Sequence, residues 1–336
     1  MITTKFLEDL KTLPKLEAIV EGNGSIFDLI IIGGGPAGLT AALYAGRARL
    51  KTLLIERALI GGMASTTYKI ENYPGFSEGI SGMDISHKFE EGVRNLDIPI
   101  YYGEVTKITK DRYIEIDGEK IQAKAIIIAS GTETKKLGIL GEDKFRGRGV
   151  SYCATCDGSF YKEKNIAVVG GGNSAIEEAI YLTRFAKKVT IIHRRDKLRA
   201  DKIIIEKALN NPKIFVLWNS TIEEINGDKR VESLTLLNTQ TNTRTTLPME
   251  GLFIYIGRIP NTSFVDNILD MSKNRFIKVD NNMRTSSSGI FACGDVIEKS
   301  LYQIVTAAGD GALAAESARK FIEDEYLNDR EKTTTI

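Results

Sequence analysis

The stretch FDLIIIGGGPAGLTAALYAGRARLKTLLIER, Phe27 to Arg57, decides the fold. An apolar run (Phe27 to Ile32) leads into a glycine cluster, a segment of helical period (Gly38 to Arg47) and a second apolar run ending in Glu56, the order of a βαβ unit. Gly33, Gly35 and Gly38 have the G-x-G-x-x-G spacing. The first glycine allows a tight turn, the second lets backbone N–H groups approach a pyrophosphate, and the third lets the helix pack on its strand. The phosphates then meet the helix N-terminus, which Pro36 and Ala37 open. Glu56 stands about twenty positions past Gly35, where a carboxylate can accept hydrogen bonds from a ribose diol.

The pattern returns in KNIAVVGGGNSAIEEAIYLTRFAKKVTIIHRRDKLRA, Lys164 to Ala200. Gly170, Gly172 and Ala175 repeat the spacing, alanine in third place being a permitted variant. Here the second strand ends in His193 rather than an acid, and Arg194, Arg195 and Arg199 follow. A carboxylate repels a 2′-phosphate, whereas guanidinium groups clamp one bidentately. The first site therefore suits an adenosine with a free 2′-OH and the second one with a 2′-phosphate. FAD at the first turn and NADPH at the second, with hydride transfer between them, is the reading that follows.

The bulk numbers fit a soluble chain of 336 residues in two domains, 42% hydrophobic and 26% charged. A net charge of +1 gives no electrostatic case for nucleic acid or an anionic membrane as partner. Three cysteines, Cys153, Cys156 and Cys293, are too few for a disulfide scaffold and suggest a reducing compartment. The N-terminus carries Glu8, Asp9, Pro14 and Glu17 and no continuous apolar core, so neither a signal peptide nor a membrane span is expected and the cytoplasm is the simplest location. CATCD, Cys153 to Asp157, could be a zinc half-site, a structural staple or a working dithiol, and its carboxylate an accident or a proton donor.

GGGPAGLTAALYAGRA, IENYPGF, CATCDGSFY, VVGGGNSAIEEA, HRRDKLRA, GRIPN and GIFACGDV, in this order, resemble the low-molecular-weight thioredoxin reductases of the class II pyridine nucleotide-disulfide oxidoreductases, over nearly all of Phe27 to Arg319. The resemblance implies an α/β fold of two Rossmann-like, three-layer ββα domains, with the NADPH domain inserted into a discontinuous FAD domain. The expected segments are 1–136 (FAD domain, first part, with 1–25 an N-terminal extension), 137–254 (NADPH domain carrying CATC) and 255–336 (FAD domain, second part, with a polar tail). FAD contacts are implied at Gly33, Gly35, Pro36, Ala37, Gly38, Glu56, Gly62, Asn72, Gly131, Gly294, Asp295 and Gln303. NADPH contacts are implied at Gly172, Asn173, Ser174, Ala175, His193, Arg194, Arg195 and Arg199. The sequence departs from the pattern at Met63, where glutamine is common, and at Tyr302, where arginine is common.

A structural zinc needs about four ligands, and besides one CxxC the chain has only His87, His193 and the distant Cys293. No metal is expected, and a static staple does not suit a reducing compartment, which leaves a dithiol that cycles. The glutathione-reductase class places its cysteines in the first domain, but residues 39–152 contain none. By resemblance Cys156 is the flavin-proximal sulfur, Cys153 attacks the disulfide of thioredoxin or a similar protein, and Asp157 is the acid/base. Also implied are a homodimer and a rotation of the NADPH domain on linkers near Thr132 to Gly141 and Phe253 to Arg258. Rival readings are a ferredoxin or flavodoxin NADP reductase that does not use the dithiol, and a non-catalytic nucleotide-binding redox sensor. Cys293 is read as a buried small hydrophobe.

Overall fold

The computed structural model describes residues 16, 18, 19, 26–67, 70–265 and 267–334. Most of the N-terminal extension therefore lies outside the described residues, as do the side chains of Cys156, Tyr326 and residues 328–334. The chain divides into two compact units, Met1–Thr132 with Pro260–Ile336, and Glu133–Ile259. These units divide at 132/133 and 259/260, within a few residues of the domain boundaries expected at 136/137 and 254/255.

In the first unit, β1 (Ile26–Ile32), α1 (Pro36–Arg47) and β2 (Thr52–Glu56) form the expected βαβ. After α2 (Gly82–Arg94) come β3 (Ile100–Tyr102), β4 (Val105–Ile108), β5 (Tyr113–Ile116) and β6 (Glu119–Ile128). The sheet order is β3-β2-β1-β6-β5-β4, and a late strand, β17 (Ile290–Ala292), pairs in parallel with β6. The β1 run is almost wholly buried because helices and strands cover both faces of the sheet, as near-continuous apolar strands require. Leu16 and Ile19 of the N-terminal extension join this core, each 5% exposed.

The last helix, α5, runs Ile304–Thr334 and so continues through the segment expected as a tail. Its last stretch is charged but holds no glycine or proline, so nothing local stops the helix. Gly311 of α5 lies against α1, where any side chain on it would strike the Ala37 carbonyl.

The connecting strands β7 (Thr132–Thr134) and β16 (Arg258–Pro260) pair as a two-stranded ribbon. The second unit contains β8 (Val150–Ser151), β9 (Asn165–Gly170), α3 (Asn173–Leu182), β10 (Lys188–Ile192), α4 (Lys202–Leu209) and β11 (Ile214–Leu217). It continues with β12 (Ser220–Asn226), β13 (Ser233–Asn238), β14 (Arg244–Pro248) and β15 (Gly251–Tyr255). A parallel sheet, β11-β10-β9-β15-β8, is flanked by an antiparallel one, β12-β13-β14. Each unit therefore carries one glycine turn at the carboxyl end of a central parallel strand, where open α/β sheets bind ligands.

Candidate cofactor and redox sites

The first turn is built as the spacing requires. Gly33 has φ +111°, and a side chain there would strike the Ala129 carbonyl. A side chain on Gly38 would strike the Gly33 carbonyl, so only glycine lets α1 lie this close to β1. Gly35, by contrast, faces open space, and as N-cap of α1 it supplies no side-chain bond to the helix amides. An uncapped helix end under an open backbone is a fitting seat for a pyrophosphate.

The neighbouring candidates converge on this turn. A methyl on Gly62 would lie 3.5 Å from the Gly35 Cα, and one on Gly294 2.7 Å from the Ala37 Cβ. Asp295 follows Gly294 on the short turn Gly294–Val296, and its carboxylate lies 3.9 Å from Lys299 Nζ. Asn72 Nδ2 donates to Gln303 Oε1 at 3.0 Å, joining two candidates 231 positions apart. Gly131, at φ +64°, is open to the surroundings and accepts the Asn261 N–H through its carbonyl at 3.0 Å. Glu56 is 9% exposed, its carboxylate accepting the N–H of Gly34 at 2.6 Å and of Ala58 at 2.8 Å. Those bonds hold both oxygens in place while each keeps a lone pair for a ribose hydroxyl.

The second turn has a different lining. Gly172 is open and caps α3 without a side-chain bond, and a methyl on Gly170 would lie 2.6 Å from the Ala175 Cβ. His193 is only 4% exposed: Nδ1 lies 2.8 Å from the Gly170 carbonyl and Nε2 2.9 Å from that of Lys197. It therefore braces the turn. The segment beyond it is strapped back onto the glycines. Arg199 N–H donates to the Gly171 carbonyl at 2.7 Å, while Asn173 exchanges two 2.8 Å bonds with Asp201. Asn173 thus spends its amide on the strap. Ser174 and the side chains of Arg194, Arg195 and Arg199 are exposed, and among the described residues no carboxylate pairs with the three guanidinium groups. An uncapped helix end beside free guanidinium groups fits a nucleotide with a 2′-phosphate.

The redox motif lies in this second unit, as a one-turn helix, Ala154–Asp157. Cys153, just ahead of it, is disulfide-bonded, and Cys293 is free and buried. The Cys153 backbone is held on two sides. Its N–H donates to Ser151 Oγ at 3.1 Å, and its carbonyl accepts from the Ser151 hydroxyl at 3.2 Å and the Asp157 N–H at 3.1 Å. The Ala154 N–H donates to the Tyr255 hydroxyl at 2.8 Å. The side chain of Cys156 lies outside the described residues. Burial, and after it the Asp157 carboxylate, push the Tyr161 phenol up to about 12. Burial raises the Cys293 thiol far above its ordinary value, as suits an inert core cysteine. Among the described residues no cluster of His, Cys, Asp and Glu could hold a metal, and no helix is long and apolar enough to cross a membrane.

Sequence reasoning missed Ser151, Tyr255 and Asp201. It also missed Glu142, 2% exposed, whose carboxylate accepts the N–H groups of Leu137 and Gly138 and the Tyr152 hydroxyl. No motif marks them, because their partners are brought close only by the fold.

Two glycine turns and a CxxC motif whose first cysteine is disulfide-bonded define a class, and the chain belongs to it: residues 27–311 match the pyridine nucleotide-disulphide oxidoreductase family. Within that family its relatives are thioredoxin reductases. It is 48% identical over 303 residues to the thioredoxin reductase of Listeria monocytogenes, covering 89% of this chain and 95% of that protein. It is 46% identical to the thioredoxin reductase of Bacillus subtilis, covering 89% of this chain and 96% of that protein. Among solved structures, the thioredoxin reductase of Lactococcus lactis in its FR conformation aligns with a TM-score of 0.86 at 46% identity, covering 89% and 99% of the two chains. FAD and NADPH are the cofactors this family implies.

Proposed function

We propose that the chain is an NADPH-dependent thioredoxin reductase that passes electrons through FAD and the Cys153/Cys156 dithiol to the disulfide of thioredoxin or a thioredoxin-like protein. The observation that carries this reading is the disulfide of Cys153, seated at a one-turn helix in the unit that also carries the three free arginines. FAD, when bound, supplies a carrier that takes a hydride and returns two electrons to a disulfide.

The residues divide the remaining work. The Gly33–Gly38 turn and Glu56 hold the first dinucleotide by its pyrophosphate and ribose, with Gly62, Asn72, Gly131, Gly294, Asp295 and Gln303 around the rest. The Gly170–Ala175 turn holds the second pyrophosphate, and Arg194, Arg195 and Arg199 select the 2′-phosphate. Cys153, as thiolate, attacks the partner's disulfide and forms a mixed disulfide, releasing one partner thiolate. Cys156 then attacks Cys153, restores the Cys153–Cys156 bond and frees the second partner thiol. Asp157 manages the proton that one thiol must lose and another gain. The connecting segments around β7 and β16 are where the implied rotation occurs. Work in the cytoplasm, as a homodimer, completes the proposal.

An anaerobic NADPH titration of the flavin-loaded protein tests the reading. Uptake of about four electrons per chain, two for flavin and two for a disulfide, is expected. Uptake of about two, with the thiol count unchanged, would favour a flavin reductase that ignores the dithiol.

A further inference from the structure

Tyr255 is the last residue of β15, in register with Gly170 at the end of β9. Its carbonyl fills the space where a Gly170 side chain would stand. Its backbone is therefore fixed by the strand pair that shapes the second nucleotide turn. Its hydroxyl reaches the other way and accepts the N–H of Ala154, 101 positions off in sequence, at 2.8 Å. Ala154 is 1% exposed, so no water can replace that acceptor. Ser151 holds the residue before Ala154 by two further bonds, so one amide of the redox turn rests on Ser151 and the next on Tyr255.

The phenol is suited to this place. Burial first, then the charge of Glu178 on α3 and, less strongly, that of Asp157 on the redox turn, raise its pKa, while the bond from Ala154 N–H acts against them. It stays a neutral hydroxyl, able to accept from an amide while keeping a proton of its own.

Resting on the dithiol reading above, we propose that Tyr255 is a positioning residue for the dithiol. Its hydroxyl fixes the Ala154 amide in the disulfide form and ties the redox turn to the strand beneath the NADPH turn. The bond is made while Cys153 is oxidised; on this proposal it loosens when the turn is reduced, so that its removal destabilises the disulfide relative to the dithiol.

The test is Tyr255→Phe in the full-length, flavin-loaded protein, which removes one oxygen and leaves the ring packed. Three readouts are compared with the wild type. NADPH-driven reduction of thioredoxin should fall about tenfold in kcat with the KM for NADPH unchanged. NADPH-driven reduction of ferricyanide, which needs flavin but no dithiol, should stay within about twofold. At two-electron reduction, the share of electrons on the dithiol over the flavin should rise about tenfold, or about 30 mV. Hydrogen exchange in the peptide around residues 150–158 should quicken. An unmoved partition, or one moved toward reduced flavin, overturns the proposal. So does a parallel fall of both activities, which would put the tyrosine at the nicotinamide. If wild type itself takes up only about two electrons, the dithiol reading fails and this inference fails with it.

Discussion

The two glycine turns share one geometry and opposite chemistry. Ile32 pairs with Ile55 ahead of the first turn, and Val169 with Ile192 ahead of the second, so Glu56 and His193 occupy equivalent positions. Both are buried and both lie against the middle glycine of their turn, where a side chain on Gly34 or Gly171 would meet them. Glu56 accepts a backbone N–H, while His193 lies against backbone carbonyls. The first turn therefore ends in a fixed negative charge, and the second in a brace that presents three arginines. On the proposed reading, that buried position and the arginines beyond it are what separate a site for a ribose diol from a site for a 2′-phosphate.

The largest effect should come from the feature that only the second unit has. Cys156→Ser should abolish thioredoxin reduction by NADPH while the flavin spectrum stays that of the loaded protein; retained turnover would detach the dithiol from the activity. Next is Gly38→Ala. Alanine is native at the matching position, Ala175, yet at 38 a Cβ would strike the Gly33 carbonyl and lie 3.3 Å from the Ala129 Cβ. A loss of about 3 kcal/mol in stability, with flavin released on gel filtration, is expected. A stable, flavin-loaded variant would mean that the two turns are closer in shape than their glycines imply.

Third, Arg194→Ala combined with Arg195→Ala should raise the KM for NADPH by roughly 10- to 100-fold, from the loss of charge-assisted bonds, and leave that for NADH nearly unchanged. Equal changes for both would move the 2′-phosphate contact elsewhere.

The smallest effect concerns α3, whose N-terminus the second turn caps. Burial, and then the charge of Glu177, push Glu178 up to about 7 from 4.5. Between those values the folded protein binds more protons than the unfolded chain, so stability is greatest below the lower value and falls as pH rises toward 7. Such a shift implies about 3 kcal/mol, and because Glu178 is only half-buried and partly screened by solvent, Glu178→Gln should be more stable than wild type by about 1–2 kcal/mol at pH 8 and about equal to it below pH 5, as read from thermal melts at both. A gap that does not change with pH would mean that Glu178 is not held protonated by burial.

Much of this was legible beforehand, for reasons that differ by residue. Gly33, Gly38 and Gly170 betray themselves because only glycine tolerates such close backbone approach, so the constraint is written as residue type at fixed spacing. The arginines stood out because they follow the second strand where the first unit carries an acid. His193 and Asn173 were expected at the nucleotide, and in the fold their side chains also brace the segment that carries the arginines. Their type gave no warning, since a histidine or an asparagine serves a ligand or a carbonyl equally well.

By itself, then, the sequence determined the two nucleotide-binding units, the opposite preferences of their second strands and the pair of cysteines, because each is encoded locally in residue type and spacing. The tertiary structure alone decided that Asn72 meets Gln303, that Glu142 gathers Leu137, Gly138 and Tyr152, and that Tyr255 holds the redox turn. A hydrogen bond between distant residues depends on where strands bring the backbone, and no local pattern records which polar side chain will find which amide.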